Sequence, residues 1–131
     1  MGKLSHEMKA MFEKELAVIA TAGKDGTPNV GPKGSMYVVD DETLAYAEGT
    51  GQKTHRNLKE NPRVAVMVID RDKADGYQVK GTAELLISGD FFEKVAKRQE
   101  ERKRPIPKHV VIIRVEEIYS VKPGMTAKRV A

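Results

Sequence analysis

The sequence predicts a mainly β domain, a small antiparallel barrel with few and peripheral helices. Three observations carry this. Period-two alternation recurs, clearest where Tyr77, Val79, Gly81, Ala83 and Leu85 alternate with Gln78, Lys80, Thr82 and Glu84. Short turn signals such as Gly23-Lys24-Asp25-Gly26 and Asp40-Asp41-Glu42 join consecutive strands, which favours antiparallel neighbours. Helical patterns are short and stop at Asn61-Pro62 and at Pro105. Closing such strands into a barrel removes exposed sheet edges.

Taken in order, Ser5 can cap a first helix whose apolar side carries Met8, Met11 and Phe12. Residues 16–22 form a mainly apolar strand, and Asp25-Gly26 turns it into a second strand that starts near Pro28. Gly31-Pro32-Lys33-Gly34 breaks that strand; proline cannot donate to a central ladder, so a bulge, a kink, a free edge or a further turn is expected. Residues 35–39 and 43–47 resume the sheet. Residues 64–69 are apolar at every position and are expected to be buried on both faces. Asp90 and Glu93 give a capping-box-like helix start, with Phe91, Phe92, Val95 and Ala96 as the buried stripe. Residues 97–104 mix signs at helical spacing, with Glu93 facing Lys97 and Glu100 facing Arg104, and read as a solvated face. A last strand spans 110–121, and a short basic tail follows.

The stretch richest in chemistry runs from Ala45 to Leu58. It reads as a strand end, a loop opened by Gly49, Thr50 and Gly51, and a helix whose mouth carries Gln52, Lys53 and Thr54. A cation at a helix N-terminus is unfavourable by itself. An anion held between Lys53, the Thr54 hydroxyl and the helix amides reverses that sign. A Walker A loop is excluded, because Ala47 and Gln52 stand where it needs glycine. Two readings stay open at this point, an ordinary strand-to-helix connection and a cradle for a phosphate-bearing cofactor.

Composition narrows the function classes. At 131 residues, with 40% hydrophobic and 32% charged, the chain is one folded domain, 1–131. A net charge of +4 invites a nucleic-acid reading, but 5% aromatic residues leave little for base stacking, so no nucleic-acid partner is expected. There is no cysteine, no apolar run of membrane-spanning length and no signal-peptide core, and a cytoplasmic protein without a membrane partner is expected. His6, His55 and His109 lack metal-ligand spacing. His6 and His109 read as surface residues, and His55, which adjoins the loop, as a solvated helix residue with a phosphate contact as the alternative. Asp40-Asp41 and Glu116-Glu117 are adjacent, which on a strand sends their side chains to opposite faces. With no catalytic side-chain triad in view, any chemistry belongs to a cofactor.

Ala20-Thr21, the run from Gly26 to Val30, Asp40-Asp41 with Leu44 and Tyr46, then Lys53, Asn57-Leu58, the run from Asn61 to Val64 and the run from Val79 to Ala83 together resemble a known family. It is the flavin-binding split-barrel family related to pyridoxamine-phosphate oxidase. The resemblance covers residues 16–83; the C-terminal part matches only in its plan of helix then strand. It implies a six-stranded antiparallel split barrel and a homodimer with FMN at the subunit interface. It further implies that Gln52, Lys53 and Thr54 hold the FMN phosphate. Main chain near Val30, Gly31, Pro32 and from Gly49 through Thr50 to Gly51 would line the isoalloxazine, with Lys33 and Ser35 as ribityl or phosphate contacts. The arginine-rich motifs of the true oxidases are absent, so vitamin oxidation is not expected. The chain is similar instead to small FMN-binding proteins, flavoredoxins and flavin reductase-like members. The function implied is an FMN-dependent oxidoreductase or electron-transfer protein with a donor, acceptor or small-molecule substrate that the sequence does not name. The alternative is a non-catalytic module that binds or senses a flavin or deazaflavin.

Overall fold

The computed structural model describes residues 2–49, 52–124 and 128–131. Ser5 opens helix α1 (His6–Lys14): its hydroxyl accepts from the Met8 N–H at 3.3 Å, and the Ser5 N–H turns back to Met8 Sδ at 3.4 Å. That reciprocal cap presents Met8 and Phe12 to the core, with Met11 partly buried beside them. Strand β1 (Ala17–Ala22) follows. It begins one residue later than expected, because Leu16 is left 59% exposed. A turn with Gly26 at φ 87° closes the hairpin to β2 (Pro28–Pro32), in register from Ala22 opposite Pro28 to Val18 opposite Pro32.

The remaining elements are β3 (Tyr37–Asp40), β4 (Thr43–Glu48), α2 (Lys53–Glu60), β5 (Arg63–Asp70), β6 (Asp75–Leu86), α3 (Asp90–Glu101), β7 (His109–Ser120) and β8 (Lys128–Arg129). All pairings are antiparallel, in the order β2-β1-β5-β6-β7-β4-β3, with β8 on β7. The sheet curls around one core to which β1, β4, β5, β6 and β7 all contribute, for example through Ile19, Tyr46, Val66, Val79 and Ile113. The architecture is the mainly β, antiparallel split barrel that the resemblance implies, with eight strands rather than six among the described residues. The physical reason is local: the break at Gly31 to Gly34 leaves β2 and β3 at opposite ends of the sheet, and the tail adds the two-residue β8. Of the alternatives open for that break, two form together: β2 lies at a free edge, and a turn follows in which the Met36 N–H donates to the Lys33 carbonyl at 3.1 Å.

Two expectations are corrected by burial. Residues 64–69 are not covered on both faces: Val64, Val66 and Val68 are buried, Ala65 and Met67 are half-buried, and Ile69 is 40% exposed. An antiparallel strand between β1 and β6 turns only alternate side chains to the core. At α3, Gly89 with φ 105° takes the cap position, and no side-chain capping bond forms. Asp90 and Glu93 lie inside the first turn instead, where carboxylates favour the helix dipole. Val95 and Gln99 are its buried residues, with Phe91, Phe92 and Ala96 half-buried. Glycine is required at one point of the β6–β7 ladder, where the register slips after Lys80. A Cβ on Gly81 would sit 2.1 Å from the Arg114 carbonyl oxygen, so only a bare backbone passes.

Helix α2 positions the site. Leu58 anchors it in the core, and Asn57 Nδ2 donates to Thr21 Oγ1 of β1 at 3.0 Å. Asn61 leaves the helix with extended angles before Pro62, as the residue before proline must.

Candidate functional site

β4 delivers its last residue, Glu48, to the same end of the barrel at which α2 begins and β2 runs along the free edge. Thr50 and Gly51, two of the loop residues singled out from sequence, lie outside the described residues. Gly49 is exposed at the end of β4. Gln52 occupies the cap position of α2 but makes no side-chain capping bond, and the first turn has no acidic residue. Neither Gln52 nor a carboxylate of the first turn therefore offsets the dipole at this end, although Glu48, paired with Lys33, lines the same cleft. Lys53 is exposed here and makes no ion pair among the described residues.

Thr54 is buried, and its Oγ1 accepts from Asn29 Nδ2 on β2 at 3.0 Å, which fixes the hydroxyl. Gly31 lies two residues along the same strand, with its Cβ position 3.8 Å from that oxygen. Asn29, Lys33, Glu48, Gln52, Lys53 and Thr54 line an open cleft of about 230 Å³. A second depression of about 410 Å³ shares Asn29 and Lys53 and adds one charge of each sign, Arg56 and Glu60.

Of the predicted residues, Gln52, Lys53, Thr54 and Lys33 meet at this cleft, with Gly31 beneath α2. Val30 and Pro32 face the other way, and Val30 is 67% exposed. Lys33 does not point freely at a ligand: its Nζ lies 2.9 Å from Glu48 Oε1, and the two side chains are only 15% and 3% exposed. The same ammonium sits 5.3 Å above the Tyr46 ring centroid. Ser35 is turned away from the cleft. Its Oγ accepts from the Ala47 N–H at 3.0 Å and lies 3.2 Å from the Ala47 carbonyl oxygen, extending the β3–β4 contact.

The structure also brings together residues whose partners the sequence does not suggest. His55 is 4% exposed rather than solvated, and its ring centroid lies 4.1 Å from that of His109. His109 is half-buried rather than a surface residue. The cause is register: β7 pairs His109 with Glu48, and α2 starts just beyond Glu48. Both Nδ1 atoms and the Tyr46 hydroxyl are buried without a hydrogen-bond partner among the described residues. Burial, with His109 and Lys59 adding to it, lowers the His55 pKa below the usual imidazole value, so the ring stays neutral. Burial, with the Glu48 charge adding to it, raises the Tyr46 phenol. Asn29, Glu48 and His109 are the residues that sequence reasoning missed. Asn29 stood within a quoted motif, but no local signal pairs Glu48 with Lys33 or His109 with His55.

Among the described residues no group of three or more His, Asp or Glu could hold a metal ion. No helix among them is long and apolar enough to cross a membrane. On this chain's own residues, an anionic group with hydroxyl or phosphate oxygens fits the cleft mouth at Lys53, Thr54 and the uncapped α2 amides.

Comparisons with known proteins bear on the family and the fold. The chain is 39% identical over 129 residues to an uncharacterised protein of Methanocaldococcus jannaschii, covering 95% of this chain and 85% of that one. It superposes on HupZ of Group A Streptococcus with a TM-score of 0.89 and 37% identity, covering 95% of this chain and 98% of that one. A protein of Lactobacillus delbrueckii named as a pyridoxamine 5'-phosphate oxidase follows at TM-score 0.81 and 34% identity, covering 91% and 95%. More distant structures with this fold include an FMN-binding protein of Syntrophomonas wolfei at 22% identity and TM-score 0.76. An F420 reductase at 26% and 0.67, and the heme storage protein HutZ of Vibrio cholerae at 20% and 0.71, share it as well. The family model for pyridoxamine 5'-phosphate oxidase matches residues 4–122, and the chain belongs to that family.

Proposed function

We propose that the protein binds FMN and serves as an oxidoreductase or electron carrier, with the flavin phosphate seated at the N-terminus of α2. One observation carries the reading: α2 has no side-chain cap and no acidic first turn, yet its mouth holds Lys53 and a Thr54 hydroxyl oriented by Asn29. Such an end is stabilised by a bound anion. Lys53 would supply a charge-assisted hydrogen bond, Thr54 a hydroxyl and the helix its amides. Gly31 places the β2 backbone beside that site, its Cβ position 3.8 Å from Thr54 Oγ1. When bound, FMN supplies the redox chemistry by accepting a hydride or electrons. The chain's own part is to bind the phosphate, orient the ring along the β2 edge and keep water from it. Names among structures of this fold, an FMN-binding protein and an F420 reductase, are in keeping with a flavin or deazaflavin ligand.

The reading includes a homodimer that covers the flavin. Cross-strand partners share a face, and the registers place Val30 beside Ala20 beside Ala65, and Pro32 beside Val18 beside Met67. This row of apolar residues crosses β2, β1 and β5 and suits a second copy of the chain. The test is the absorption spectrum of the purified protein, and of apoprotein mixed with FMN and passed through a desalting column. A retained flavin spectrum that bleaches on reduction and recovers with an acceptor is the expected result. Loss of all flavin on the column, or retention only of a heme or deazaflavin spectrum, would overturn FMN as the cofactor.

A further inference from the structure

A second groove, of about 720 Å³, opens between the end of α1, the turn joining β2 to β3 and helix α3. Its floor includes the buried Phe12 and Met36, and its rim carries Arg98, Arg102 and Arg104. Sequence spacing pairs Glu100 with Arg104 on a solvated face, but among the described residues no ion pair forms at any of the three arginines. The reason is a reversal at the end of α3. Lys103 adopts φ 57°, and the Arg104 N–H donates back to the Gln99 carbonyl at 2.9 Å. Arg104 is thereby folded onto the β2–β3 turn, where its Nη1 donates to the Gly34 carbonyl at 3.0 Å. Arg98 is held by stacking, with its guanidinium 4.0 Å from the Tyr37 ring centroid.

A helix C-terminus attracts cations, and that accounts for Arg102. It does not account for two further guanidiniums fixed at the rim of one groove, one by an aromatic ring and one by a distant carbonyl. Burial first, and then the charges of Arg102 and Arg104, lower the Arg98 pKa, while Tyr37 and Glu13 oppose the shift. Glu13 and Glu15 are the acidic residues of the lining, and Glu15 faces Lys14 at 3.9 Å. Lys33 lines both this groove and the α2 cleft, so the two spaces adjoin.

We propose that this groove is the binding site for the protein's redox substrate, a small molecule with at least two negative charges. Its anionic end would lie against Arg98, Arg102 and Arg104, and its other end would reach past Lys33 toward the flavin. Guanidinium forks bind phosphate and carboxylate alike, with two parallel hydrogen bonds. The apolar floor suits the uncharged part of such a ligand. The substrate role rests on the flavin reading, whereas the anion site rests only on the groove.

The test is calorimetric titration of the FMN-loaded protein at low salt with sodium pyrophosphate and, separately, with citrate. Saturable binding of one anion per chain is expected for at least one of the two, and the preference between them identifies phosphate or carboxylate as the recognised group. Arg98→Gln and Arg102→Ala should each weaken it about tenfold or more. The FMN dissociation constant of each variant, read by flavin fluorescence, should be unchanged. Arg102 is exposed, so its variant keeps the test valid should the Arg98 variant fold poorly. Absence of saturable binding, or equal binding in both variants, would overturn the site. Loss of binding in Lys53→Ala would overturn it too, by placing the anion in the α2 cleft. Tighter binding of a single-stranded oligonucleotide than of either small anion, lost in the same arginine variants, would overturn the small-molecule assignment. A protein that binds pyrophosphate at these arginines but no flavin would overturn the redox role and leave an anion site alone.

Discussion

His55 shows how burial changes what a residue does. In the first turn of an exposed helix it would titrate near the ordinary imidazole value, about 6.5. Buried against His109, it has a lowered pKa. The unfolded chain therefore binds more protons at this residue just below pH 6.5, so stability rises with pH there and falls as pH drops through that window. The midpoint of thermal unfolding should decline from about pH 6.5 toward 5.5, and His55→Gln should flatten the decline. Equal slopes in the two proteins would contradict the neutral, buried ring. The histidine pair was not legible in the sequence, because contact depends on the register of β4 against β7. Lys53 was legible, since a cation at the mouth of a helix is locally anomalous. Asn29 lay between these cases: its strand was visible, but its bond to Thr54 requires β2 to lie along α2.

At the scale of elements, α2 begins without a side-chain bond from its cap residue Gln52, at the end where the proposed ligand would sit. An acidic cap would satisfy its amides and place a carboxylate where the proposed phosphate sits. Gln52→Asp should therefore raise the stability of the flavin-free protein by about 1 kcal/mol and weaken FMN binding. Thermal unfolding without ligand and a flavin titration read the two effects separately. A variant that gained stability with unchanged FMN affinity would remove the phosphate from this helix end. Strand order is where sequence reasoning reached least far. The break at Gly31 to Gly34 was visible, but a proline and two glycines fit several geometries equally well. Only the assembled sheet puts β2 and β3 at its two ends. The apolar run at 64–69 misled for a related reason, because apolar residues on the outer face of a strand and in a core look alike in one sequence. Arg104 departs from its sequence pairing with Glu100 because the chain leaves the helix at Lys103, which helical spacing does not anticipate.

For the whole molecule, the apolar row from Val30 to Ala65 and from Pro32 to Met67 predicts a homodimer at micromolar concentration. Light scattering should give the mass of two chains, and Met67→Lys should shift it toward one with loss of flavin. A monomer that keeps its FMN would contradict an interfacial site. The antiparallel barrel itself followed from alternation and short turns, and the family followed from motifs whose order spans most of the strands. The cofactor and its phosphate seat are the central claim. The most direct test is a fluorescence titration of FMN against riboflavin, which differ only in the phosphate. FMN should bind more tightly, and Lys53→Ala should reduce its affinity by about 1.5–3 kcal/mol, on the order of ten- to a hundredfold. Riboflavin affinity should change little, and Lys24→Ala, in the exposed β1–β2 turn, should leave both unchanged. Equal affinity for FMN and riboflavin, or an unaltered FMN affinity in Lys53→Ala, would contradict the phosphate site at α2.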